Sequence, residues 1–322
     1  MARFALRRLL HASATVLLAV TLAFVLAHAA PGEPMLADAE RLRADAGTVA
    51  RLREDFGLDR PLWTQYALWL ANVARGDLGQ SFTTRRPVAE LLLERIPPTL
   101  LLTVSALALA VVSGVTLGTL QAARAGTALD GLLGAATTIA HSIPVFWLGL
   151  LLLLVFGQQL GWLPLGGMSS PLAESTMGAM ERVWDVLRHL VLPGLTLALV
   201  QAATFARHQR SAVLDALGED FVRAARARGV GEARALLRHA LRASLAPTIT
   251  LAGMAVPALL AGTVLVETVF GWPGMGRLTA DAIAARDYNV LQAVALVAGV
   301  AAALGTLAAD LSLAALDPRH RK

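Results

Sequence analysis

Along the chain, apolar residues gather into six runs of about twenty residues, at 9–30, 99–122, 132–156, 187–205, 249–270 and 290–314. As a helix, each is long enough to cross a hydrocarbon core of about 30 Å. None alternates apolar and polar residues as a half-buried strand does, and no repeat of fixed period joins them. A segment inside a bilayer must satisfy its own backbone hydrogen bonds. The runs therefore predict an all-α, polytopic membrane protein with six transmembrane helices. The first run has a basic front and an Ala-x-Ala-like end at Ala27–Ala29. It exceeds the about 7–15 apolar residues of a cleaved leader and is expected to be a retained span.

Between the runs the pattern changes. In residues 31–98, "VARLREDFGLDRPLWTQYALWLANVARGDLG" mixes apolar and charged positions at helical spacing, which predicts short helices lying on the outer surface. "MGAMERVWDVLRHL", ahead of the fourth run, reads the same way. The expected division is 1–98, the first span with its outer loop, and 99–322, a five-helix core that includes a cytoplasmic loop at 206–248.

Composition agrees with the pattern: 56% hydrophobic and only 16% charged, less charge than a soluble chain of this size carries. Arg3, Arg7 and Arg8 precede the first span, eight arginines lie between Arg207 and Arg242, and Arg319, Arg321 and Lys322 close the chain. Under the positive-inside rule this places both termini and the 206–248 loop in the cytoplasm of a multi-pass protein of the cell inner membrane. The net charge of +5 is thus a topology signal and does not point to nucleic acid.

The same inventory excludes much chemistry. There is no cysteine, and the single lysine is Lys322, so a P-loop lysine is missing. No His-Glu-x-x-His pattern is present, and no catalytic or metal-ligating residue is expected. Ser113 and Ser142 read as helix-packing hydroxyls. Ser142 follows His141, and neighbours one residue apart do not face each other on a helix, which argues against a hydrolase. Three ionisable groups lie in or near the spans. His141 sits beside a Pro144 bend, Glu267 lies near the outer end of the fifth span within reach of Arg277, and Asp310 lies near the basic tail. Structural pairing is expected of them, since three scattered groups make a poor proton relay. A stand-alone secondary transporter would instead show inverted repeats and ion sites near the midplane.

The remaining signal is "EDFVRAARARGVGEARALLRHALRASLAPTIT", a basic stretch set between two of the most apolar segments. Read as a helix, it puts Phe221, Ala224 and Ala225 along one side, with Arg223, Arg226 and Arg228 largely elsewhere. Gly229 and Gly231 break the helix, and a second helix resumes toward Pro247. A small-residue face ending in a fixed break suits docking into a protein groove; contact with anionic lipid headgroups is the alternative for the arginines.

Within that stretch "RAARARG" at 223–229 resembles the EAA-x-x-x-Gly signature of ABC importer permeases of the dipeptide/oligopeptide/nickel branch. Arg223 stands where the general signature has glutamate. The resemblance extends through "FGLDRPLWTQYALWLANVARGDLGQSF", "RPVAELLLERIPPTLLLT", "SIPVFWLGLLLLLVFGQQLGWLP", "LRHLVLPGLTLAL" and "VETVFGWPGMGRL", in family order. It implies a type I ABC importer permease fold and the first permease subunit of a pair. The implied partners are a second homologous permease, two ABC ATPase subunits, an extracytoplasmic solute-binding protein and the lipid bilayer. No cofactor is implied on this chain, with ATP and Mg2+ on the ATPases. Asp220, Phe221, Arg223, Ala224, Ala225, Arg226, Arg228 and Gly229 would form the ATPase-coupling segment. Glu267, Trp272, Pro273 and Gly274 would stand at the outer mouth, near the binding protein. Peptide is the implied cargo, with nickel chelates, glutathione and other small solutes as alternatives.

Overall fold

The computed structural model of the chain describes residues 2–29, 54, 57–171 and 177–316, and no side chains at 2–12, 257–258, 260–262 and 309–316. The basic tail 317–322 and much of the first outer loop lie outside the described residues, as does the side chain of Asp310. What is described is helical apart from turns and a single bridge between Gln80 and Pro87. The fold is the all-α one that the apolar runs predict.

In chain order, α1 spans Ala2–Ala29, α2 Leu62–Ala74, α3 Val88–Ala123, α4 Ala128–Ser142 and α5 Val145–Leu152, which continues as a π-helical turn over Leu153–Gln159. Then follow α6 over Ala179–Gly218, α7 over Asp220–Ala227, α8 over Leu241–Val269, α9 over Met275–Ala285 and α10 over Tyr288–Leu316. Among the described residues, α3, α6 and α10 are each long and apolar enough to span a membrane.

The third predicted span is not one rod. α4 and the α5 segment meet at 103°, and at 15 residues α4 reaches only about 22 Å. Pro144 is the cause. It caps α5, and Ile143 before it is extended at φ −77°, ψ 129°, because the proline ring excludes the helical conformation from the preceding residue. A second correction concerns "MGAMERVWDVLRHL". It forms no separate surface helix but the opening turns of the 40-residue α6. α3 likewise begins eleven residues before its apolar run and passes through Pro97 and Pro98. The carbonyls that those prolines leave without donors belong to Leu93 and Glu94, both exposed where water can serve them.

The centre of the molecule is the α3–α6 pair. Leu102, Ala106, Ala110, Gly114 and Gly118 recur every four residues on α3, and all are buried. Against them lie Ala198, Ala202, Phe205 and Ala206 of α6. Hydrocarbon tails are as apolar as leucine, so helix association in a membrane relies on close van der Waals approach, which small residues permit. A methyl group at Gly118 would stand 2.8 Å from Gln209 Cβ and 2.9 Å from the Arg210 amide nitrogen. "GVTLG" is therefore a helix-packing motif. α10 packs against both α1 and α8. The loop before α3 is pinned to the start of α10 by Ser81, whose hydroxyl donates to buried Asp287 at 2.6 Å.

Candidate functional site

The basic stretch folds as the short helix α7, a glycine turn and a second helical segment, as its spacing predicts. The turn is a Schellman closure. Gly229 N–H donates to the Arg226 carbonyl at 2.9 Å and Val230 N–H to the Ala225 carbonyl at 3.2 Å. Gly229 takes φ +85°, which a side chain would strain. Beyond it, Glu232–Arg234 and a π-turn over Ala235–Ala240 lead into α8.

Which face looks outward differs from the sequence reading. Ala225, 1% exposed, turns inward with Val222, which packs against Ala216, Ala235 and Ala240 of the same chain. Phe221, 44% exposed, together with Ala224, Ala227 and Arg228, makes the outward surface. The arginines are partly held in place. Arg223 pairs with Asp220, Arg226 donates to Glu232 at 2.8 Å, and Arg228 donates through Nε to the Ala224 carbonyl at 3.2 Å. These exposed pairs orient side chains but contribute little stability.

α6, which leads directly into α7, is tied to its neighbours on two sides by contacts that the sequence of α7 does not announce. Arg210, two turns before the end of α6, forms a bidentate pair with Asp130 of α4, at 2.8 and 2.7 Å. Beside it, buried Gln209 donates to Ser244 Oγ at 2.8 Å and accepts from Thr248 Oγ1 at 2.5 Å, both on α8. The planar fork of the guanidinium fixes direction as well as distance. These contacts tie the C-terminal end of α6 to both α4 and α8.

At the other end of α8, the four residues expected at an outer mouth are drawn largely into the interior. Glu267 is 0% exposed and Trp272 0%, and Gly274 is buried; Pro273 is half-buried. Glu267 Oε1 accepts from Thr99 Oγ1 at 2.7 Å, and Oε2 accepts from the backbone N–H of Arg277 at 3.0 Å, with the N–H of Gly276 also directed at the carboxylate. Thr99 Oγ1 in turn accepts from Met275 N–H at 2.8 Å, and Trp272 Nε1 donates to the Pro98 carbonyl at 3.0 Å. The expected Glu267–Arg277 pairing thus runs through the Arg277 amide, while its guanidinium reaches the Gly271 carbonyl at 3.1 Å. The carboxylate sits at the N-terminus of α9, where unsatisfied amides attract an anion. Glycine at 274 is required by this approach, since a methyl group there would overlap the Glu267 carboxylate. Thr99, the hub of the knot, was missed in the sequence; its one signal is a hydroxyl directly after two prolines.

The other intramembrane groups behave as packing residues. Ser113 and Ser142 donate to the carbonyls of Leu109 and Thr138, one turn back on their own helices. His141 Nδ1 lies 3.4 Å from Thr204 Oγ1. No group of three metal-ligating side chains occurs among the described residues.

Comparison with known proteins is consistent across the whole length. Residues 114–322 match the family described as binding-protein-dependent transport system inner membrane component, and residues 1–103 match its N-terminal membrane component. The chain is 38% identical over 323 residues to the oligopeptide transport system permease protein AppB of Bacillus subtilis, covering 99% of each. It is also 38% identical over 323 residues to the glutathione transport system permease protein GsiC of Escherichia coli K12, covering 100% of this chain and 99% of that one. Among solved structures, the inward-facing MetNI methionine ABC transporter superposes with a TM-score of 0.57 at 18% identity, covering 71% of this chain and 97% of that one.

Proposed function

The chain belongs to the family of binding-protein-dependent transport system inner membrane components, and from that premise we propose that it forms, with a second homologous permease, the pathway of an ATP-driven peptide importer. The chain itself is a transport subunit, and ATP with Mg2+ acts on two separate ATPases. A solute-binding protein delivers the cargo from outside, and both termini face the cytoplasm. The cargo reading follows the relatives, whose names specify oligopeptides and glutathione, itself a tripeptide.

The observation that carries the mechanical part is α7. It is a short helix with an apolar, exposed tip at Phe221, closed by a fixed glycine turn and directly continuing α6, which is itself tied to α4 and α8. Closure of the ATPases would push on Phe221, Ala224 and Arg228, and the Arg210–Asp130 and Gln209–Ser244–Thr248 contacts would carry the push to the helices that line the pathway. Asp220, Arg223 and Arg226 set the charge around that tip, and Gly229 holds its exit direction.

Because the native chain has no cysteine, the reading is open to a direct test. Phe221→Cys and Ala224→Cys, each paired with a single cysteine in the groove of the ATPase, are expected to form a disulfide whose yield changes with ATP. Ala225→Cys, turned inward, is expected to crosslink at least tenfold less. Equal yields at all three positions, or none at Phe221 and Ala224 in an assembled complex, would remove α7 from the interface. Uptake of a labelled tripeptide by proteoliposomes holding the complete complex tests the cargo.

A further inference from the structure

The span that Pro144 divides is broken inside the apolar layer. On one side of the break, His141 Nδ1 lies 3.4 Å from Thr204 Oγ1 of α6. On the other, a methyl group at Gly149 would stand 3.4 Å from the side chain of Thr196. Both threonines belong to the apolar run 187–205, so the break between them lies at the depth of the hydrocarbon. It opens on a cleft of about 460 Å³, lined by Thr138, Ile139 and Ser142 of α4 and by Phe146 and Trp147 of α5.

The break leaves polar groups without partners. α5 has no side-chain cap, and its first backbone bond runs from Leu148 N–H to the Pro144 carbonyl at 3.0 Å. The amides of Val145, Phe146 and Trp147 therefore have no acceptor among the described residues. His141 is exposed and uses Nδ1 alone. In a bilayer, interrupted backbone is found buried in protein or lining a water-filled cavity, and an intramembrane histidine faces the bundle interior or such a cavity. The cleft is not buried by this chain. A helix packed dry against it would supply few acceptors, since its own carbonyls are engaged within it. Water can serve every one of these groups. The Val104–Val112 side of α3 is the contrast. It is as exposed, at 62% and 65%, but its helix is unbroken there and the nearby Ser105 and Ser113 return their hydroxyls to their own backbone.

We propose that the cleft at the Pro144 bend is a wall of the aqueous pathway, and that the Val104–Val112 side of α3 faces lipid. Ile139, Phe146 and Trp147 give the wall an uncharged surface. The amides at the break donate to water and, as cargo passes, to the main-chain carbonyls of the peptide. This assignment rests on the importer reading above and names the residues of this chain that line its pathway.

The absence of native cysteine makes the assignment measurable, because any thiol label on this chain reports one chosen position. His141→Cys, Ser142→Cys, Phe146→Cys and Val112→Cys are made singly, and all four side chains are exposed, so packing is retained. The complete complex, in nanodiscs of phosphatidylethanolamine and phosphatidylglycerol, is treated with methanethiosulfonate ethyltrimethylammonium, a water-soluble cation that reacts with thiolates. Thiolates form in water and are suppressed in apolar surroundings, so the three cleft positions should label about tenfold faster than Val112→Cys, or more. Their rates should also differ between the nucleotide-free complex and one trapped with ATP and vanadate. Labelling no faster than at Val112→Cys, or labelling that trapping leaves unchanged, overturns the proposal. Uptake of a labelled tripeptide is measured on the same complexes. Uptake with an inert cleft sinks the cleft alone, and nucleotide-sensitive labelling without uptake of any peptide sinks the cargo reading alone.

Discussion

Glu267→Ala is expected to be among the most damaging single substitutions in the chain. The carboxylate serves the Thr99 hydroxyl and the backbone amides of Gly276 and Arg277, in a site with no access to water. Alanine leaves three donors without an acceptor, at about 1–3 kcal/mol each. Hydrogen bonds in membrane proteins fall toward the low end of such ranges, so the expected loss is about 3 kcal/mol. Glu267→Gln keeps a carbonyl for one donor and should fall between. Thermal stability of the detergent-purified chain, read by monodispersity after heating, decides the order Glu267, Gln, Ala. An alanine variant as heat-resistant as the parent would mean that the amides of α9 find another acceptor, and the knot would lose its role in holding α9 against α3.

Gly118→Leu should be at least as severe, for a reason of space. Even the first carbon of a side chain at 118 meets the Ala206 carbonyl oxygen, the Arg210 amide nitrogen and Gln209 Cβ. Backbone atoms cannot rotate away, so α3 and α6 must separate. Overpacking costs about 1–3 kcal/mol even where side chains can adjust, and here the displaced residues include the two that tie α6 to α8 and α4. Loss of folded protein is the expected outcome. If the chain survives, ATP hydrolysis by the complex should become uncoupled from transport. Gly131→Ala is the control: nothing lies within 4 Å of the added carbon, and alanine favours a helix by up to about 1 kcal/mol over glycine. Wild-type stability in Gly118→Leu would mean that α3 and α6 do not pack as described.

The helices themselves were legible because runs of about twenty apolar residues have few alternatives in a bilayer. Pro144 and Gly229 could also be read in place, since proline restricts the residue before it and glycine alone enters the left-handed region without strain. Faces were harder. Phe221, Ala224 and Ala225 fall within one arc of α7, and all are acceptable at an interface. Only the tertiary packing, in which Val222 meets Ala216, Ala235 and Ala240, turns Ala225 to the interior and leaves Phe221 and Ala224 outside.

The two ends of α8 divide the same way. The sequence by itself determined a polytopic all-α protein, a basic helix–turn–helix insert and a tight glycine- and proline-rich turn after the fifth span, because these depend on length, periodicity and backbone restriction over neighbouring residues. Only the tertiary structure decided that the bend at Pro144 is 103°, that Glu267 binds the amide of Arg277 and not its guanidinium, and that Asp130, Gln209 and Thr99 are the ties around the two ends. Those partners lie between 10 and 168 residues apart. A polar side chain in an apolar helix shows that it needs a partner, but which of many distant donors it meets is fixed only when the helices pack.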